Sequence, residues 1–155
     1  MHSELLNLWL FAHAIAKVAL LTGFGPFFLI AGLYNFQSRF VPKILSGEKT
    51  HTIRGVRANP DKPGNLLHLY TGLRHKGAKL LMRVPCIAVE EIEIDACGHE
   101  CNCDPLLVVD GVELDATERD ALARRDGFGD FNEMLNFWAG RLPFKGHIIH
   151  WRKAA

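Results

Sequence analysis

Apolar positions recur along this chain with two periods, and each change of period marks an element. Phe40, Ile44 and Leu45 share one face of a short helix, with Pro42 tolerable in its first turn and Gly47 suited to the left-handed residue that ends it. Beyond it the period drops to two. Thr50, Thr52 and Arg54 then lie on one side of a strand, His51 and Ile53 on the other. Further strands are predicted at residues 66–70, 79–84 and 89–94, the last alternating Glu91 and Glu93 with Ile92 and Ile94. Asp110-Gly111 between two apolar runs is a hairpin signal. Asp115, with Glu118 three residues on, has the form of a capping box for a helix reaching about Arg125. After Asp126-Gly127-Phe128, where Gly127 permits a sharp turn, Phe131, Met134, Leu135 and Trp138 fall at helical spacing as a core-facing stripe. Trp151 reads as core or as cover for a cleft. Several short strands and a few helices predict an α+β fold with a small, curled sheet or barrel.

The first 34 residues do not follow this pattern. Between Leu5 and Tyr34 the only charge is Lys17, and residues 18–34 form an uncharged run of seventeen, at the lower limit for crossing a bilayer. Gly23, Gly25 and Pro26 interrupt it, and the stretch before it carries Glu4 and no Lys or Arg, which argues against a signal peptide. Three readings stand, in this order: a stretch outside the natural domain, through a start assigned too early; an extension packed on the domain or disordered; or a membrane anchor with the domain on the cytoplasmic side. The expected domain is residues 35–155, its expected location the cytoplasm.

Composition fits one core of ordinary size, with 155 residues and 48% hydrophobic. The net charge of +1 conceals an asymmetry. Residues 35–83 hold ten Lys or Arg against Glu48 and Asp61, and residues 84–131 hold thirteen Asp or Glu against Arg119, Arg124 and Arg125. Either the two halves pair their charges, or the basic half presents a cationic face to phosphates.

Cys97, His99, Cys101 and Cys103 offer zinc-type donors, but alternating residues in one short segment surround a tetrahedral ion poorly. A loop of reduced thiols is the preferred reading, zinc the lesser one, and no cofactor is expected. Cys86 reads as a small buried apolar residue in a strand.

The densest chemistry lies at residues 46–54, where a helix gives way to a strand. Such a corner directs the Lys49 ammonium, the Thr50 and Thr52 hydroxyls and the Arg54 guanidinium toward one point, as binding an oxygen-rich ligand or activating a hydroxyl would need. Taken alone, the same residues also suit a solvated turn. The run from Lys43 to Arg54, the Pro63-Gly64-Asn65 turn, the Asp126-Gly127-Phe128 element and the closing strand at residues 146–151 together resemble the ASCH family, relatives of the RNA-binding PUA domains. The resemblance spans about residues 35–152 and implies a small PUA-like β-barrel with flanking short helices.

It also implies a function. Members with an assigned activity are small amidohydrolases that remove the acetyl group of N4-acetylcytidine, using a lysine, a threonine three residues later and an acidic residue ahead of the last helix. Those positions carry over onto Lys49, Thr52 and Asp126, the last an aspartate where the enzymes have glutamate, one methylene shorter. Arg54, Thr50, Arg57 and Arg74 are the expected substrate contacts. The expected partner is RNA or a modified nucleoside, with a non-catalytic RNA-binding module or a ribonuclease as the alternatives.

Overall fold

A single long strand organises the sheet. The computed structural model describes residues 31–74, 76–96 and 105–152. In it β4 runs unbroken over Lys79–Asp95, 17 residues, where the pattern predicts two separate strands. Pro85 does not break it, because this is where the strand exchanges one antiparallel partner for another. The first half of β4 pairs with β3 (Leu66–Thr71), Leu66 opposite Pro85. From Cys86 to Ile94 it pairs instead with β7 (Phe144–Trp151). The register slips between Cys86 and Ala88, a bulge that leaves Ile87 46% exposed. A bulge of this kind bends and twists its strand, which lets β4 serve both halves of a curled sheet.

The other strands extend these halves. β1 (Ala31–Phe36) lies parallel to β3, and β2 (His51–Gly55) antiparallel to β7. On the far edge of β4, β5 (Leu106–Val109) pairs antiparallel and turns through Asp110-Gly111, both at positive φ, into β6 (Val112–Glu113). The result is a mixed sheet curled into a half-barrel with a few short helices, an α+β architecture.

β1 starts inside the stretch read as an extension. Its residues alternate as a half-buried strand should, with Gly32, Tyr34 and Phe36 buried and Leu33 54% exposed. Tyr34 is pinned from behind, its hydroxyl donating to the buried Asp61 carboxylate, which also faces Arg57 Nη1 at 3.6 Å. Burial of Tyr34 and its bond to Asp61 push its pKa well above the usual phenol range. The three readings made of residues 1–34 fall, for residues 1–30, outside the described residues. Among the described residues no helix is long and apolar enough to cross a membrane.

Among the described residues three short helices cover the sheet. A 3-10 turn at Ser38–Phe40 leads into α1 (Val41–Ser46), with Pro42 in its first turn and Gly47 closing it at φ 89°. Ile44 is fully buried, but Leu45, expected on the same face, is 44% exposed. A six-residue helix presents too narrow a stripe to bury two adjacent positions. α2 (Ala116–Arg125) carries the expected capping box: Glu118 N donates to Asp115 Oδ1 at 2.8 Å and Asp115 N to Glu118 Oε2 at 3.0 Å. α3 (Phe131–Trp138) is capped by Asp130 and buries Phe131, Met134 and Trp138. Trp151 is core, its ring edge-on to Phe36 at 5.9 Å, and Cys86 is a buried free thiol whose pKa burial pushes up to about 11.

The sheet closes most tightly at Gly146, opposite Gly55 on β2. A Cβ there would fall inside contact distance of the Arg54 carbonyl oxygen and 2.7 Å from Phe144 Cζ. Gly146→Ala is therefore expected to cost roughly 1–3 kcal/mol of stability, because backbone cannot yield as a side-chain tip can. Urea denaturation checks this, and an unchanged midpoint would contradict the close β2–β7 approach.

Candidate active site

Two corners of the chain meet at the mouth of the curled sheet. The first joins α1 to β2 and carries Lys49; the second joins α2 to α3 and carries Asp126. Backbone and side-chain bonds draw them together: Thr50 N donates to Arg125 O at 3.3 Å, and Lys43 Nζ to Gly127 O at 3.0 Å. The second corner is held from its other side as well, by Phe131 N donating to Asp120 Oδ1 at 2.9 Å and Arg124 Nε to Gly129 O at 3.3 Å. Gly127, at φ 95°, lets the chain turn here with Phe40 and Lys49 packed where a side chain would otherwise stand.

At the junction Lys49 Nζ donates to both the carboxylate Oδ1 and the carbonyl oxygen of Asp126. Lys49 is 2% exposed and Asp126 5%. Moving two opposite charges out of water is costly even when they touch. Burial holds the Lys49 amine below the ordinary lysine range, helped by the Arg54 guanidinium and opposed by Asp126. Burial likewise raises the Asp126 carboxyl above the usual range, against the pull of Lys49 and Arg54. Both displacements run toward the uncharged pair, an amine beside a carboxylic acid, and away from the ion pair.

The pair opens onto a cavity of about 800 Å³, within the range of ~300–1,000 Å³ usual for small-ligand sites. Lys49, Thr52, Arg54, Arg74 and Asp126 all line it, five of the seven positions expected from sequence. Thr52 is 5% exposed, and its hydroxyl makes no hydrogen bond among the described residues. Arg54 reaches across to β1, donating from Nη2 to Asn35 O at 2.9 Å with its guanidinium 5.1 Å from the Phe36 ring centre.

The other two positions fall elsewhere. Thr50 spends its backbone on the junction, its carbonyl accepting from Trp151 N at 2.9 Å, and it does not line the cavity. Arg57 lies beyond the end of β2, where strand parity no longer sets direction. It bonds Leu33 O at 3.3 Å and sits over the Tyr34 ring at 4.4 Å, away from the cavity. The aromatic walls, Phe36, Phe40, Phe128, Phe137 and Trp138, escaped sequence reasoning, Phe40 and Trp138 because helical spacing makes such residues look like core. Trp138 is core as expected and wall as well.

Behind the pair stands His51, fully buried, its Nε2 3.7 Å from Asp126 Oδ1 and neither ring nitrogen hydrogen-bonded. Its ring centre lies 5.1 Å from that of His150, whose Nε2 meets Glu90 Oε2 at 2.6 Å. Burial first, then Lys49, His150 and Arg125, hold the His51 pKa well below the ordinary imidazole value.

The metal reading of Cys97, His99, Cys101 and Cys103 concerns residues outside those described. Among the described residues no group of three or more His, Cys, Asp or Glu is placed to hold a metal ion. Set against known proteins, the chain matches no family model, no curated protein and no solved structure.

His51 makes acid stability a readout of this packing. A lowered folded-state pKa means that, below about pH 6.5, the unfolded chain binds a proton the folded chain refuses, so stability falls as pH falls. His51→Leu removes that term. Between pH 6.5 and 5 the wild type is expected to lose up to ~1.4 kcal/mol per pH unit more than the variant, measured by urea denaturation at each pH. Parallel pH profiles would contradict a neutral, buried His51.

Proposed function

We propose that this chain is an ASCH-type, PUA-like domain whose cavity takes an N4-acylated cytosine and hydrolyses its amide. The observation that carries the proposal is the buried Lys49–Asp126 pair, displaced toward its neutral form, in one cavity with the unengaged hydroxyl of Thr52. The resemblance in the sequence points to the same three residues, and the flat aromatic walls suit a pyrimidine.

The chemistry follows from the protonation state. A neutral lysine amine is a base; an ammonium is not. Lys49 takes the proton of Thr52 as the hydroxyl oxygen attacks the acyl carbon, and the carbonyl π electrons move onto oxygen. The Arg54 guanidinium, in the same wall, stabilises that oxyanion. Collapse breaks the carbon–nitrogen bond, and the leaving amino group of the cytosine takes the proton back from Lys49. A water then attacks the acyl-threonine by the same route, giving the free carboxylic acid and restoring Thr52. Asp126 holds the Lys49 amine in line and supplies its own proton to the leaving nitrogen when the amine cannot.

A second reading has its own observation. Lys62, Arg74, Lys76, Lys79 and Arg83 are exposed and meet no carboxylate among the described residues, so the basic half does not spend these charges on the acidic one. Exposed cations without carboxylate partners suit RNA backbone and support a non-catalytic RNA-binding module.

Release of cytidine and acetate from N4-acetylcytidine by the full chain separates the two. Turnover is expected, and Lys49→Met and Thr52→Ala, each confirmed as folded by circular dichroism, are expected to lower it at least about 100-fold. Wild-type turnover in either variant would contradict the mechanism. No turnover, with RNA affinity that falls steeply as salt rises, would move the assignment to the binding module.

A further inference from the structure

The charge of the cavity says something about its occupant that the catalytic residues do not. Lys49, Arg54, Arg74 and Arg141 line it against one carboxylate, Asp126, and Lys49 engages that carboxylate. None of the three guanidinium groups has a carboxylate within ion-pair distance among the described residues.

What they do touch is neutral. Arg54 donates to the Asn35 carbonyl, and Arg141 Nη2 donates to Phe137 O at 2.9 Å. Arg141 also lies 4.5 Å from the Trp138 ring centre, while Arg74 is exposed and makes no hydrogen bond among the described residues. Carbonyls and ring faces orient a guanidinium without cancelling its charge. Burial first, then the Arg57 and Arg141 guanidinium groups, disfavour the charge on Arg54, and Asp126 favours it. Three like charges around one partly enclosed void repel until an anion enters, and guanidinium forks match phosphate oxygens in pairs.

We infer that the cavity takes a phosphate-bearing nucleoside, with the base against the aromatic wall near Lys49 and Thr52 and the phosphate held at the mouth by Arg74 and Arg141. Arg54, more deeply set, bridges the two ends. The base half of this inference rests on the nucleoside reading above; the anion half rests on the charge count alone. A neutral nucleoside is then a truncated substrate that leaves the guanidinium groups unused.

Calorimetric titration of the full chain with cytidine, cytidine 5′-monophosphate, inorganic phosphate and a cytidine trinucleotide tests both halves. The monophosphate is expected to bind at least about tenfold more tightly than cytidine, since one charge-assisted hydrogen bond suffices for that ratio. The Arg74→Ala/Arg141→Ala double variant, altered only at exposed positions, is expected to bring the ratio near one. Equal affinity of wild type for nucleoside and monophosphate overturns the anion half and leaves the nucleoside reading standing. Arginine-dependent binding of inorganic phosphate as tight as that of the monophosphate, with no binding of cytidine, keeps the anion half and overturns the nucleoside reading. A trinucleotide no tighter than the monophosphate assigns a free nucleotide, and a tighter one assigns a nucleotide within RNA; either supports a phosphate subsite.

Discussion

The contact between Lys49 and Asp126 joins two corners of the chain 77 residues apart, and the shape of the cavity depends on it. It sets the turn between α2 and α3, and the aromatic wall that turn carries, against the end of α1 at the point where Thr52 lines the same cavity. The neighbouring bonds, Thr50 to Arg125 and Lys43 to Gly127, work in the same direction. They are backbone or backbone-assisted, so they set distance; the contact of Lys49 with Asp126 brings titratable groups together there, with His51 3.7 Å from the same carboxylate. A buried pair of this kind is poor evidence for stability, because apolar residues of equal volume would hold the corners together as well. Its retention in a cavity wall is better understood as the cost of chemistry.

The electrostatics of the site follow from that burial. The amine and the carboxyl are both almost wholly buried, and a further charge, Arg54, repels the ammonium while attracting the carboxylate. Desolvation is the largest cause for both groups, so both move toward neutrality although they touch. His51 behind the pair obeys the same constraint and stays uncharged. The cations at the mouth are placed differently: Arg74 and Arg141 are exposed and meet no carboxylate among the described residues.

Much of this was legible in the sequence where a local rule fixes the outcome. The Asp115–Glu118 capping box, the Asp110-Gly111 hairpin and the Gly47 helix end are decided within four residues, and all are found. Thr52 and Arg54 reach the cavity because strand parity puts them on one side; Arg57 does not, because β2 ends at Gly55. What escaped depended on distant partners. β1 alternates plainly from Gly32 to Phe36, but at the end of a long uncharged run that hides alternation, and only β3 and Asp61 give it a place. Pro85 reads as a break, and becomes tolerable only because β4 changes partner there. Arg141 and the aromatic wall look like surface and core until the two corners enclose a space between them.

The state of the Lys49 amine decides whether this cavity can do acid–base chemistry at all. Carbon-13 NMR of the lysine Cε positions, with Lys49 assigned by comparison with Lys49→Met, follows its titration directly. Burial of the amine places the Lys49 transition below 10.5, the ordinary lysine value. A transition at or above that value would show a stable ion pair, and Lys49 would then serve as a structural cation and not as a base.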